Sequence, residues 1–521
     1  MREKETGASK TLGERERARL PGENNKRQKG WKTMQINWTE ERNLTMLTDY
    51  YEFTMSNGYF LNGMKDRVAV FDMFFRNIPD GGGFAIFAGL EQLVHYLKNL
   101  RFTEQDIAYF RSKKIFDEQF LDYLANFHFE CDVWAMEEGT PIFPNEPIVT
   151  IRGPVIQAQL VETMVLLTIN HQSLVATKAN RMVRAAGDRL IMEFGSRRAQ
   201  GYDAAILGAR ATYIGGCGAT ACAITDRDFG VPAVGTMAHS WVQMFDSEYE
   251  AFRSYAQIYP DDCTLLVDTY NVLKSGIPNA IKVFNEVILP QGYRPKGVRI
   301  DSGDIAYLSK RARKMLDEAG FPDVKIVASN SLDEYIIRDL ILQGAKIDSF
   351  GIGERLITSK SDPVFGGVYK LVAVEKDGEY VPKIKISESP EKIINPHFKK
   401  LYRLFDQTGH AVADYVCVHD EQLDTEHPIT LTIFDPLATW KRCTLENVRA
   451  KEMLKPIFQK GELVYELPSI HDVRRHCKEQ VGTLWDEVKR FENPHNYYVD
   501  LSQKLWDIKN DLLAGLQVHQ K

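Results

Sequence analysis

Apolar residues near the start of the foldable chain recur at helical spacing. Leu47, Tyr51, Thr54, Met55 and Gly58 share one face, and Thr48 or Asp49 is placed to cap the helix. The run VAVFDMFF at 68–75 is rich in β-formers, and the glycines at 81–83 break the chain before an amphipathic segment at 90–97. Further short helices are expected to about residue 127, then a small β-rich module between 131 and 154. Residues 157–186 read as a long helix or helix pair burying Val161, Met164, Leu167, Leu174 and Val175, with Asn170 and His171 as hydrogen-bonded polar residues inside it.

The texture changes at residue 189. Short apolar runs begin at 190, 211, 231, 264, 297, 325, 348 and 368, each ending in glycine or a polar residue and followed by a helix-like stretch. Their spacing, about 20 to 35 residues, suits βα units on a parallel sheet. Eight such runs predict an α/β fold: a TIM-like β/α barrel, whole or lacking strands, with an N-terminal α+β domain and a β-rich C-terminal portion. The expected divisions are 1–33, 34–188, 189–375 and 376–521. In the last of these, β-like runs to about 465 give way to helical patterns from about 470, with a frayed tail after Leu513.

Composition narrows the class. With 44% hydrophobic and 26% charged residues, this is the make-up of a globular protein, and a net charge of −6 argues against a general nucleic-acid binder. No apolar run approaches the ~18 residues of a membrane span. Seven cysteines without a C-x-x-C pair suggest reduced thiols in a cytoplasmic protein, and Cys417, His419 and Cys443 are poorly spaced for a metal. The first 33 residues hold ten Lys/Arg, five Glu and few large apolar residues, which reads as a disordered basic extension.

A β/α barrel gathers its reactive groups at the carboxyl ends of its strands. There the sequence places Arg197 and Arg198, Thr236 with His239, the Asp268–Thr269–Tyr270 triplet, Arg299 with Asp301 and Asp304, Ser329, and Gly351 with Gly353. Paired guanidiniums bind carboxylates or phosphates, and Arg299, flanked by apolar residues within a strand, needs an acidic neighbour or a ligand anion. The turn DSGD at 301–304 suits ribose hydroxyls or a Mg²⁺ on a polyphosphate, and equally an N-cap. The glycines at 351, 353, 366 and 367, near the last candidate strands, suit a phosphate. No Walker A, G-x-S-x-G or full G-x-G-x-x-G sequence is present.

The runs LTDYY (47–51), FGSRRAQG (194–201), GTMAHS (235–240), VRIDSGD (298–304), GIG (351–353) and GGVYKL (366–371) together resemble the nicotinate phosphoribosyltransferase family, across roughly residues 40 to 500. The resemblance implies synthesis of nicotinate mononucleotide and pyrophosphate from nicotinate and phosphoribosyl pyrophosphate. It also implies coupled ATP hydrolysis through a phosphohistidine at His239, with Mg²⁺ assisting. Tyr51, Thr236 and Arg299 match residues around nicotinate, Tyr51 reaching in from the neighbouring subunit of a homodimer. Arg198 matches an arginine that binds a substrate anion. Glu354 stands where some relatives carry a threonine near the phosphoribosyl group, a place a carboxylate suits only by binding Mg²⁺ or by facing away. Asp301 or Asp304 would steady charge on the sugar or hold the metal. The same fold could serve nicotinamide or quinolinate instead. A phosphosugar isomerase or lyase would need a Lys or Glu base on a strand, and neither Lys178 nor Lys274 sits convincingly at one.

Overall fold

The computed structural model describes residues 42–387 and 392–517, so the expected basic extension at 1–33 lies outside the described residues. From Asn43 onward the chain forms one unit. Its centre is a six-stranded parallel sheet in which Leu190–Glu193 lies between Ala219–Thr220 and Ser349–Ile352, followed outward by Lys325–Ser329, Gly297–Ile300 and Thr264–Leu266. The last strand in sequence pairs back onto the first, as closure requires. The ring is broken only between residue 233 and Thr264–Leu266. This is the incomplete barrel.

Two of the eight expected runs are not strands. Residues 211–214 end the helix Tyr202–Ile214, whose last turns are wholly buried, so a five-residue window shows no polar face and mimics a strand. Gly215 caps it where an added Cβ would lie 2.4 Å from the Ala176 carbonyl, so glycine permits close packing on the helix Glu162–Ala186. The run 231–236 occupies the third-strand position but makes only one bridge, between Ala233 and Thr220. Pro232 has no N–H to extend a ladder.

The run at 368 forms a strand in a different sheet. Gly367–Lys376 pairs antiparallel with Val68–Phe75 in a seven-stranded sheet that also takes in Val149–Pro154, Asp132–Ala135 and Lys455–Gln459. A five-stranded sheet built on Lys399–Phe405 and Ala411–Val418 completes the β-rich C-terminal portion, with helices at Ile470–Gly482 and Gln503–Gln517. Among the described residues no helix is long and apolar enough to cross a membrane.

Large apolar clusters fill the seven-stranded sheet's helical face and the barrel interior. Buried ion pairs join the layers. Arg210, 1% exposed, is bonded to Glu138, Glu91 and Gln172, and Arg403 forms two bonds to Asp414. Expected burial fails in places. Leu167 is exposed. The shared face of the helix Tyr50–Leu61, with Tyr51 and Met55, is exposed, as is Leu47 just before it, while Glu52, Phe53 and Ser56 are buried.

Candidate active site

Arg299 is the hub of the barrel mouth. It projects from Gly297–Ile300, mostly buried, and its Nε donates to Ser329 Oγ at 2.9 Å. One terminal nitrogen donates to Thr236 Oγ1 at 3.1 Å and the other to Asp301 Oδ1 at 3.1 Å. A guanidinium has five N–H groups, so one remains on each terminal nitrogen for a ligand anion. The Phe194 ring lies 5.8 Å from the guanidinium carbon. Gly351 lets that ring in, since an added Cβ would stand 2.5 Å from it. Sequence spacing suggested a phosphate for Gly351; in the structure its lack of a Cβ also makes room for the Phe194 ring.

Asp301 is shared. Its Oδ1 accepts from both Arg299 and Ser329, its backbone N–H donates to Asp268 Oδ2 at 3.0 Å, and its Oδ2 lies 3.8 Å from His239 Nε2. His239 begins the short helix His239–Gln243, its side chain 41% exposed, with Nδ1 3.1 Å from Thr269 Oγ1. One carboxylate therefore touches both the histidine and the arginine. Asp304 instead caps the helix Ile305–Glu318 by accepting from the Tyr307 N–H, and it is exposed.

The remaining expected residues lie around or beyond this cluster. Arg197 and Arg198 stand exposed in the turn Ser196–Arg198, directly after the first barrel strand. Glu354 faces Lys360 at 2.6 Å, and that hydrogen bond, with Arg198 and Arg355 nearby, holds its carboxyl below the ordinary range. Gly353 precedes the short helix Glu354–Ile357, back to back with Gly195, where an added Cβ would meet the Gly353 carbonyl at 2.7 Å. Gly366 is open to space, whereas Gly367 packs against Asn170. Asn170 Oδ1 and His171 Nε2, expected to be hydrogen-bonded, are buried without a partner among the described residues.

Tyr51 sits on the helix Tyr50–Leu61, packed against Val155–Leu160, not against the Arg299 cluster. Partial burial and then the Glu162 carboxylate raise its phenol above the ordinary range. Burial also pushes the adjacent Glu52 up to about 8 from 4.5. The folded chain thus holds a proton that the unfolded chain releases above 4.5, and stability falls as pH rises from 4.5 through 8. Glu52→Gln should flatten that fall, measured by urea unfolding at several pH values. Parallel curves for the two proteins would exclude Glu52 as its source.

Sequence reading missed Glu193 altogether. It is fully buried, accepts from the Gly195 N–H and from Thr220 Oγ1 at 2.6 Å, and is raised by burial. Its signal was a charge inside the run LIMEF, the same oddity that singled out Arg299. Asp268 and Thr269 stood at a strand end, but spacing could not pair them with Asp301 and His239.

For a divalent cation, the fitting groups are Asp268 and Asp301. Asp268 Oδ1 is buried and lacks a hydrogen-bond partner among the described residues, leaving a carboxylate oxygen free beside Asp301. Mg²⁺ characteristically takes one or two carboxylates plus substrate oxygens. Among the described residues no group of three or more His, Cys, Asp or Glu side chains could hold a metal. Cys417 is buried, Cys443 exposed, and His419 stacks on Phe398.

Three family models for nicotinate phosphoribosyltransferase cover the chain: the N-terminal domain over residues 46–170, the family model over 190–409 and the C-terminal domain over 398–509. The chain belongs to the nicotinate phosphoribosyltransferase family. The nicotinate phosphoribosyltransferase of Bacillus subtilis is 44% identical over 90% of this chain and 95% of its own length. The human one is 32% identical over 90% and 97%. The crystal structure of human nicotinic acid phosphoribosyltransferase superposes with a TM-score of 0.80 at 30% identity, covering 89% of this chain and 99% of that one. The fold also matches nicotinate-nucleotide pyrophosphorylase from Pyrococcus furiosus, with a TM-score of 0.67 at 22% identity over 86% of this chain and 99% of that one.

Proposed function

We propose that the chain transfers the phosphoribosyl group of phosphoribosyl pyrophosphate to nicotinate, as part of NAD salvage, with ATP hydrolysis coupled through His239. The observation that carries this reading is Arg299, a mostly buried cation with two N–H groups left over, joined to His239 through Asp301. A single guanidinium suits a monocarboxylate; the second carboxylate of quinolinate would call for more cations, and neutral nicotinamide would leave the charge without a partner.

In this mechanism Arg299 and the Thr236 hydroxyl hold the nicotinate carboxylate, orienting the ring nitrogen toward the ribose. That nitrogen attacks the anomeric carbon as pyrophosphate leaves, and the Asp301 carboxylate steadies positive charge developing on the sugar. The exposed Arg197 and Arg198 offer donors for phosphate oxygens. Mg²⁺ on Asp268 and Asp301 would neutralise pyrophosphate charge. His239 accepts the terminal phosphoryl group of ATP at a ring nitrogen, releasing ADP, and water later returns it as phosphate.

A homodimer belongs to the same proposal, because Tyr51 and its apolar neighbours Leu47, Tyr50 and Met55 are all exposed. A reducing, cytoplasmic setting fits the seven free cysteines. The deciding experiment assays nicotinate, nicotinamide and quinolinate side by side with phosphoribosyl pyrophosphate. Nicotinate should be turned over preferentially; a preference for nicotinamide would overturn the reading.

A further inference from the structure

Eleven non-glycine residues among those described have positive φ, and four of them gather around one buried group of charges. Asp80 (φ 56°), Asn330 (φ 94°), Ser331 (φ 39°) and Ser359 (φ 44°) lie on three separate turns. Those turns converge on Lys178, 2% exposed, on the helix Glu162–Ala186. Its ammonium donates to Asp80 Oδ2 at 2.8 Å, to Glu334 Oε1 at 2.9 Å and to Ser361 Oγ at 2.7 Å. Arg181, one turn further along the helix, donates to Glu334 Oε1 at 2.8 Å. Asp362 accepts from the Asp80 N–H at 3.1 Å, closing the group.

Glu334 is the first residue of the helix Glu334–Leu342, and Asn330 and Ser331 form the turn between that helix and Ser329. Asp333 caps the helix and forms an ion pair with Arg355, two residues after Gly353. Left-handed backbone at non-glycine residues persists only where the surroundings over-determine it. At one end of this turn stands the buried charge group; at the other stands Ser329, which accepts from Arg299 and donates to Asp301.

We propose that Lys178 is a positioning residue: through Glu334 it holds the strained Asn330–Ser331 turn, and so sets Ser329 against Arg299 and Asp301. It touches neither the arginine nor any group assigned to substrate. Lys178 thus has a use other than the barrel-strand base that an isomerase would require. The kinetic part of the test rests on the phosphoribosyl-transfer reading of the site; the exchange part does not.

The test compares the full chain with Lys178→Met, and with Lys178→Met/Glu334→Gln, which removes one charge of each sign if the single variant folds poorly. Hydrogen exchange over residues 329–336 should quicken at least about tenfold in these variants. At temperatures where circular dichroism shows them folded, kcat/KM for nicotinate should fall at least about tenfold. Asn330→Gly added to either variant should then recover at least about threefold of the loss, because glycine takes the left-handed turn without bias. Lys178→Arg should lie between Lys178→Met and the parent. A lower Tm with unchanged exchange and unchanged kcat/KM would overturn the proposal, as would an absent glycine rescue. A parent chain inactive on nicotinate would defeat the functional reading alone, leaving the exchange result to decide the positioning role.

Discussion

Replacing Arg299 with alanine is expected to raise KM for nicotinate about 10- to 150-fold, the weight of a charge-assisted hydrogen bond of about 1.5–3 kcal/mol. The guanidinium contributes more than charge. It donates at once to Thr236, Asp301 and Ser329, which come from three barrel segments. Without it the Asp301 carboxylate would lose a cation beside the position where nicotinate's own carboxylate must sit, and the two would repel. Arg299→Lys should recover only part of the loss, since an ammonium has three donors and no planar fork to satisfy three protein partners and a ligand together. The discrimination between nicotinate and nicotinamide should narrow in the alanine variant, because the neutral amide gains nothing from the cation. Steady-state kinetics with both bases checks this. An unchanged nicotinate KM would remove Arg299 from the base site.

What the sequence disclosed about this site follows from where its chemistry is local. His239, Thr236, Arg299 and Asp301 were legible because each interrupts an apolar run or ends one, and strand ends are where barrels react. Six of the eight runs are strands, five of them in the barrel, for the same reason. Illegible were features decided at long range. Whether the run at 368 joins the barrel or the sheet of Val68–Phe75 depends on pairing partners some 300 residues away. The apparent strand at 211–215 is apolar on all sides because its helix end is buried on all sides. The packing of the glycines was illegible too: at Gly351 and Gly367 Phe194 and Asn170 occupy the space a Cβ would need, and no local pattern announces either neighbour. The exposed Leu47, Tyr51 and Met55 show the converse, a correct periodicity whose apolar face stays largely uncovered among the described residues.

His239→Asn is expected to abolish stimulation by ATP while slow, ATP-independent phosphoribosyl transfer survives. The asparagine side chain can still hydrogen-bond Thr269 Oγ1, so the turn keeps its anchor, but it offers no ring nitrogen to a phosphoryl group. Phosphorylation adds about −1.5 to −2 charge. With His239 Nε2 3.8 Å from Asp301 Oδ2, that charge arrives beside the carboxylate that Arg299 and Ser329 share. A phosphate on His239 would therefore compete for the cations and hydroxyls that shape the substrate pocket, and its hydrolysis would relax them. Reciprocity then requires that bound substrates alter the affinity of the ATP site by the factor with which ATP alters theirs; a coupling of about 1–3 kcal/mol corresponds to about 5- to 150-fold. Nicotinate affinity with and without a non-hydrolysable ATP analogue measures the coupling, transfer rates with and without ATP measure the stimulation, and intact-protein mass at neutral to alkaline pH measures the phosphate. The parent chain should gain one acid-labile phosphate on His239 and the variant none. Equal ATP stimulation in the two proteins would place the energy coupling elsewhere and leave Asp301 with the sugar alone.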